Sequence, residues 1–453
     1  MGADPVEFRG LSEAVVDAER RFAAANPLSH ARHLRARKVL PGGHSRQTLY
    51  YAPFPVTFVS GKDAVLTDLD GHKYLNLVGD YAAGVLGHTC EPVQRAAREV
   101  LAGGLSLGGV NSKEVELAEV ISARIPSIQQ IRFCNSGSEA CLFSVQLARH
   151  ATARPKIMVF KGCYHGAFLI YGNTDPALSI PLEVVKATYN EVEGTRRSLR
   201  SNPESIGAVI VEPMMGAAGA IPASRAFLGM LREETRRIGA LLIFDEVMTS
   251  RLSPGGLQGF YGLTPDITTL GKFWGGGFPF GAYGGSREVM RYLDLGGGGT
   301  LSQGGTFNAN IVTMAAGIVA ARDVYTPQAC GELNALGDRL RERLNNLGRK
   351  FRVGFQATGM GGIMNTHWHG RAITNPEHVE AIDSAPRRLF QLEMMLQGYY
   401  VAQRGTFALS LPVSAGDLDG FVEATEQFIT QYRDLLLPTE ESSAHLGSAA
   451  TKS

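Results

Sequence analysis

Lys272 stands in D-I-T-T-L-G-K-F-W-G-G-G, residues 266–277, with apolar Leu270 and Gly271 before it and Gly275, Gly276 and Gly277 after it. A lysine is a poor nucleophile at neutral pH unless burial or a neighbouring charge lowers its pKa. Glycines beside it let a flat, bulky group approach the backbone. On its own the residue has a plainer reading, a solvated surface amine. The second residue is Asp245, which closes the apolar run Leu241–Phe244 earlier in the chain. An acid ending an apolar strand and a lysine on a glycine-rich loop suit a cofactor that needs both. Pyridoxal 5′-phosphate takes an amine for its carbonyl carbon and an acid for its pyridinium nitrogen.

Other residues could serve the same chemistry. Ser136, Gly137 and Ser138, in N-S-G-S-E-A, fall between an apolar strand at 131–134 and a helical stretch at 139–152. A helix N-terminus with two hydroxyls is an anion site, or simply a serine-capped helix. Tyr164 and His165 follow Lys156–Phe160, and Glu212 follows Ala208–Val211. A tyrosine ring there can stack on a heteroaromatic plane, whereas His165 alone reads as structural. Arg46, among uncharged neighbours in P-G-G-H-S-R, is either a surface residue or a bidentate clamp for a carboxylate. His367 and His369 flank Trp368 without a cysteine or acid nearby, so no metal site is expected.

The elements that must position these residues alternate strand and helix from residue 131 to Lys272, which predicts a mainly parallel sheet with ligands at the carboxyl ends of its strands. The glycine-rich 278–285 reads as an edge-like strand, residues 11–39 as helical, 56–78 as a β-meander, 351–369 and 403–412 as strands, and 376–397 and 417–436 as helices. The predicted division is an N-terminal segment 1–74 packing with a small domain, a large α/β domain 75–325, a small α+β domain 326–438 and a disordered tail 439–453. The 453 residues carry 19% charged side chains and a net charge of +1, which argues against a nucleic-acid or anionic-membrane partner. Five cysteines without metal spacing predict free thiols in a cytoplasmic protein, and no apolar run approaches a membrane span.

Taken together and in order, S-G-S-E-A, K-G-C-Y-H-G, V-E-P-M, I-F-D-E-V-M-T, T-T-L-G-K and G-T-F-N resemble the class III (subgroup II) aminotransferases of the fold-type I pyridoxal-phosphate enzymes. The resemblance runs from about residue 35 to 435. It is strongest to β-amino-acid transaminases of the β-phenylalanine type, on P-G-G-H-S-R with Y-Y-A-P-F-P, D-E-V-M-T-S-R, and R-G before a final L-S-L-P. It implies a large domain with a mainly parallel seven-stranded sheet plus a smaller α+β domain. It also implies roles: Lys272 holds the cofactor and moves the proton, Asp245 pairs with the ring nitrogen, Ser136, Gly137 and Ser138 hold the phosphate, and Tyr164 stacks on the ring. Glu212 lies near the cofactor, and Thr306 reaches the phosphate in a neighbouring subunit, so a homodimer is expected. Met215 stands where some relatives carry glutamine, and Ser138 where threonine is commoner.

The reaction implied is a ping-pong transfer of an amino group from a β-amino acid or related amine to a keto acid such as 2-oxoglutarate or pyruvate. Arg46 is the expected partner of the substrate carboxylate, with Arg404 and Tyr81 bordering the pocket for the rest of the substrate. Glutamate-1-semialdehyde 2,1-aminomutase is a second resemblance, through the L-G-K-x-x-G-G-G loop and G-A-Y-G-G, but F-N-A-N after Thr306 departs from it. The same motifs are compatible with an ω-amine transaminase and, from a different class, with a non-catalytic pyridoxal-binding module.

Overall fold

A computed structural model describes residues 10–171, 179–380 and 384–437; the predicted disordered tail lies outside them. Three short strands come first: β1 (Phe58–Lys62), β2 (Val65–Asp68) and β3 (Lys73–Asn76). The main sheet follows, from β4 (Gln130–Cys134), β5 (Lys156–Phe160), β6 (Val184–Ala187), β7 (Ile206–Val211), β8 (Leu241–Asp245), β9 (Ile267–Gly271) and β10 (Gly281–Gly285). Their order is β4-β10-β9-β8-β7-β5-β6. All run parallel except β10, which is antiparallel to both neighbours. Both faces of the central strands are covered: every residue of β7 and of β9 is buried, and β7, I-G-A-V-I-V, reads as an unbroken apolar run.

Helices α3 (Gly137–Thr152) and α4 (Arg225–Ile238) are among those covering the sheet. The boundaries of α4 follow from its sequence. Ser224 accepts from the Phe227 N–H at 3.1 Å at the start, and Gly239 takes a left-handed φ of 69° at the end. Beyond the sheet, α5 (Pro327–Phe351), α6 (Ala385–Leu396) and α7 (Ala415–Leu436) surround an antiparallel sheet of β11 (Phe355–Met360), β12 (Ile363–Trp368) and β13 (Thr406–Ala408). The first helix, α1 (Leu11–Ala25), lies on α6. Arg21 of α1 pairs with Glu393 and, at 2.7 Å, with Asp17, while the Tyr432 hydroxyl donates to Glu393 at 2.6 Å. No helix among the described residues is long and apolar enough to cross a membrane.

Three local expectations change. Residues 11–39 are not one helix: the chain breaks at Asn26, and Pro27 starts a second, Pro27–Ala36, because proline carries no N–H to continue the first. The strand predicted over 403–412 shortens to β13, and the 351–369 stretch is a hairpin turning at Gly361 and Gly362. The glycine-rich strand is not at an edge. β10 is buried throughout between β4 and β9, and its glycines serve close approach: a Cβ on Gly281 would run into the Ser136 carbonyl oxygen. Gly281 thereby fixes the height of the loop that starts α3.

Gly281→Ala is therefore expected to cost about 1–3 kcal/mol through overpacking. Gly229→Ala, at an open position inside α4, is expected to stabilise by about 0.4–1 kcal/mol. Urea unfolding of the two variants should move in opposite directions.

Candidate active site

The carboxyl ends of the parallel strands bring the chemistry-bearing residues to one edge. Ser136 follows β4, Tyr164 and His165 follow β5, Glu212 follows β7, Asp245 ends β8 and Lys272 follows β9. Asp245 is 4% exposed, and a charge this deep needs partners. Its Oδ2 accepts from His165 Nδ1 at 2.8 Å and from Cys141 Sγ at 3.3 Å. Its Oδ1 accepts from the Val247 N–H at 3.0 Å and Thr269 Oγ1 at 3.2 Å. Burial opposes charge on both members of the His165–Asp245 pair, and the hydrogen-bonded attraction outweighs it: Asp245 is held below the usual carboxylate range and His165 well above its ordinary value. Cys141, His165 and Asp245 bring ligand-type atoms within 4.8 Å of one another. His165 Nδ1 and Cys141 Sγ both turn to Oδ2, which makes the cluster a support for the carboxylate.

Glu212 lies beside this pair. Its carboxylate accepts from the Tyr164 N–H at 3.1 Å and the Gly216 N–H at 2.8 Å, and burial pushes it up to about 7. Lys272 occupies a left-handed backbone position, φ 57°. Burial lowers its amine from 10.5 to about 8, and no described residue hydrogen-bonds it. An amine so placed is available as a nucleophile and base.

Ser136 caps α3 by accepting from the Glu139 N–H at 3.2 Å. The Gly137 and Ser138 N–H groups of the first turn are left without acceptors among the described residues, as at any helix start. Ser138 Oγ accepts from the Ala167 N–H at 3.1 Å, which leaves its proton to donate. Val247 wedges between this turn and the lysine: a Cβ on Gly137 would sit 2.8 Å, and one on Gly271 3.0 Å, from its methyls. An anion site, a free amine and a buried carboxylate held ionised are what the phosphate, the carbonyl and the ring nitrogen of pyridoxal 5′-phosphate require.

A cavity of about 880 Å³ contains Lys272, Ser136, Gly137, Arg46 and Asp80. Arg46 Nη1 lies 3.3 Å from Asp80 Oδ1. A second cavity of about 290 Å³ contains Tyr81, Arg404, Tyr400 and Gln391, and the Tyr81 hydroxyl donates to the Thr48 carbonyl at 2.6 Å. Arg46 and Arg404 therefore open onto different cavities. Tyr164 is 42% exposed. Thr306 is exposed, on a segment fastened to the start of α3 by Asn135 Nδ2 donating to Asn308 Oδ1 at 2.8 Å. Met215 is fully buried in a short hairpin with Ile221. Val247, Cys141, Thr269 and Asp80 could not be singled out from sequence, because a valine, a cysteine and a threonine carry no motif until β8, β9 and α3 are adjacent. His165 did carry a signal, its place directly after Tyr164.

Residues 48–385 match the class-III aminotransferase family. Over 94% of this chain and 98% of the other, the sequence is 42% identical to a β-phenylalanine transaminase of Variovorax paradoxus. It is 34% identical to a glutamate-1-semialdehyde 2,1-aminomutase of Lachnoclostridium phytofermentans, over 81% of this chain and 90% of that one. The crystal structure of a β-phenylalanine aminotransferase from Variovorax paradoxus superposes with a TM-score of 0.93 at 41% identity, covering 95% of this chain and all of that one. With a lysine, a buried aspartate and a helix N-terminus converging at the carboxyl edge of a seven-stranded sheet, this chain belongs to the class III pyridoxal-phosphate-dependent aminotransferases.

Proposed function

We propose that this transaminase takes its amino group from a β-amino acid of the β-phenylalanine kind and passes it to a keto acid such as 2-oxoglutarate or pyruvate. The observation that carries the reading is that Lys272 and the Arg46 guanidinium open onto one cavity. A β-amino acid needs a cation one carbon further from the reacting centre than an α-amino acid does. The 42% identity to a β-phenylalanine transaminase supports the same donor class.

When bound, pyridoxal phosphate supplies a carbonyl carbon that takes up the amino group and a ring that delocalises the electrons of the adjacent carbon. The chain's own residues do the rest. Lys272 Nζ would hold the cofactor and, once released from it, carry the proton taken from the substrate carbon bearing nitrogen. Asp245, kept ionised against its burial by His165 and the Val247 N–H, would hold the ring nitrogen protonated. The Gly137 and Ser138 N–H groups and the Ser136 and Ser138 hydroxyls hold the phosphate. Tyr164 and Val247 would hold the ring between them, and Glu212 fixes Tyr164 by accepting from its backbone N–H. Arg46 binds the substrate carboxylate, and Tyr81 and Arg404 border the space for its remaining part.

The reading includes a homodimer in which Thr306 serves the neighbouring subunit's phosphate site. Supporting it are large apolar side chains exposed on two joined loops, Leu105 and Val110 on one and Phe307 on the other. These loops are tied by Asn310 Nδ2 donating to the Leu105 carbonyl at 3.1 Å and Asn111 Nδ2 to that of Ala309 at 3.0 Å. Five free thiols support a cytoplasmic setting.

The 34% identity to an aminomutase favours one second reading, an isomerase that moves nitrogen within one molecule. Many turnovers with β-phenylalanine plus 2-oxoglutarate, followed by glutamate formation, are expected; conversion limited to one equivalent per site would favour the isomerase. Arg46→Ala should raise KM for β-phenylalanine about 10- to 100-fold, as loss of a charged hydrogen-bond pair does, and leave KM for 1-phenylethylamine nearly unmoved. Equal effects on both would remove the clamp. Because only the neutral amine reacts, cofactor uptake by the apoprotein should speed up as pH rises through about 8 and then level off. A stopped-flow rate still climbing tenfold per pH unit above 9 would mark an ordinary lysine. Lys272→Ala should show no transamination.

A further inference from the structure

Four consecutive residues in front of the larger cavity, Gly79 to Ala82, have left-handed backbone angles: φ 51°, 51°, 52° and 77°. Three of them are not glycine, and each such residue costs about 1–2 kcal/mol. Strain of this kind persists only where the surroundings over-determine it, and here they do. Asn76 Oδ1 accepts from the Val78 and Gly79 N–H groups at 3.0 and 3.1 Å. Gly79 packs so tightly on the Ala408 carbonyl that no Cβ fits. Behind the turn, the fully buried Arg251 donates to the Ala82 carbonyl at 3.4 Å and to the Leu409 carbonyl. In front of it, the Tyr81 hydroxyl reaches the Thr48 carbonyl at 2.6 Å.

The left-handed path directs two adjacent side chains at the same short segment. Tyr81 holds the backbone at Thr48, and Asp80 holds the side chain of Arg46, Nη1 to Oδ1 at 3.3 Å. Arg46 and Asp80 are 51% and 58% exposed, so the pair contributes little to folding. The strained turn that delivers Asp80 is therefore not explained by stability. A guanidinium is a rigid planar fork with five N–H donors. Occupying one Nη1 donor from the side stops the fork from rotating and leaves an edge of two parallel N–H groups to meet a carboxylate.

We infer that Asp80 is a positioning residue for substrate: it orients Arg46 so that the free edge of the guanidinium faces the cavity in front of Lys272, and so selects donors that carry a carboxylate. The inference rests on the proposed role of Arg46. Asp80→Asn suits the test, because asparagine tolerates a left-handed backbone and keeps the side-chain shape while losing the charge. The holoenzyme, Asp80→Asn, Arg46→Ala and the double variant are titrated calorimetrically with 3-phenylpropanoate, a carboxylate without an amine. KM and kcat are measured for β-phenylalanine and for 1-phenylethylamine, which has no carboxylate.

Asp80→Asn should weaken 3-phenylpropanoate and raise KM for β-phenylalanine about 2- to 5-fold, the size of an exposed ion pair. The rise should fall on KM rather than kcat, be absent with 1-phenylethylamine, disappear in the Arg46→Ala background and be reversed by Asp80→Glu. Tighter binding of 3-phenylpropanoate would overturn the inference by making Asp80 a competitor for Arg46. Effects equal for both donors, additive with Arg46→Ala, or nil would overturn it as well. If Arg46→Ala itself treats both donors alike, the clamp falls and this inference with it. If Arg46→Ala discriminates and Asp80→Asn does not, only the inference about Asp80 falls.

Discussion

A single ionised carboxylate at the end of β8 sets the terms for the rest of the molecule. Withdrawing Asp245 from water costs several kcal/mol after relaxation unless the charge is met, and it is met from three elements at once. His165 comes from the loop after β5, Cys141 from α3 and Thr269 from β9. His165 does most to keep the carboxylate charged against its burial, and the other two complete its hydrogen bonds. Asp245 pairs directly opposite Thr269 across the β8–β9 ladder, so a slip of one residue would turn the hydroxyl to the other face of the sheet. The parallel register thus fixes one of the hydrogen bonds that the aspartate receives.

The lysine and the anion site are placed by backbone proximity more than by side-chain contact. β10 runs antiparallel to both neighbours, and its glycines let the Ser136 carbonyl and the surrounding backbone close in. Val247 then fills the space between Gly137 and Gly271, spacing the start of α3 from the lysine turn. The lysine itself is left with a lowered pKa and no hydrogen-bonding partner among the described residues. An amine held this way stabilises the fold very little, which is typical of groups kept ready for chemistry.

Around this centre lie two cavities. The larger cavity carries Lys272 and the Arg46–Asp80 pair, whereas the smaller one carries Tyr81 and Arg404. The strained turn Gly79–Ala82 borders both, its adjacent residues Asp80 and Tyr81 lining one each. Arg251 connects this turn to the exit of β8, only six positions after Asp245 in the chain. The turn that carries Asp80 and Tyr81 is in this way fastened to the end of the strand that carries Asp245.

Much of this was legible in the sequence. Apolar runs ending in an acid, a tyrosine–histidine pair or a serine–glycine–serine loop, with helices between them, determine a parallel sheet whose carboxyl edge collects those residues, because local hydrophobic patterning and helix caps are encoded over a few positions. Lys272 and Asp245 could be named on that basis alone. The interior place of β10 could not, because glycines signal neither burial nor strand pairing until a second backbone lies against them. Nor could the support of Asp245 by Cys141 and Thr269, the wedge of Val247, or the left-handed turn that joins Asp80 to Arg46. These depend on contacts between residues distant in the chain, and only the packing of β8, β9, α3 and β13 against one another decides which distant side chains meet.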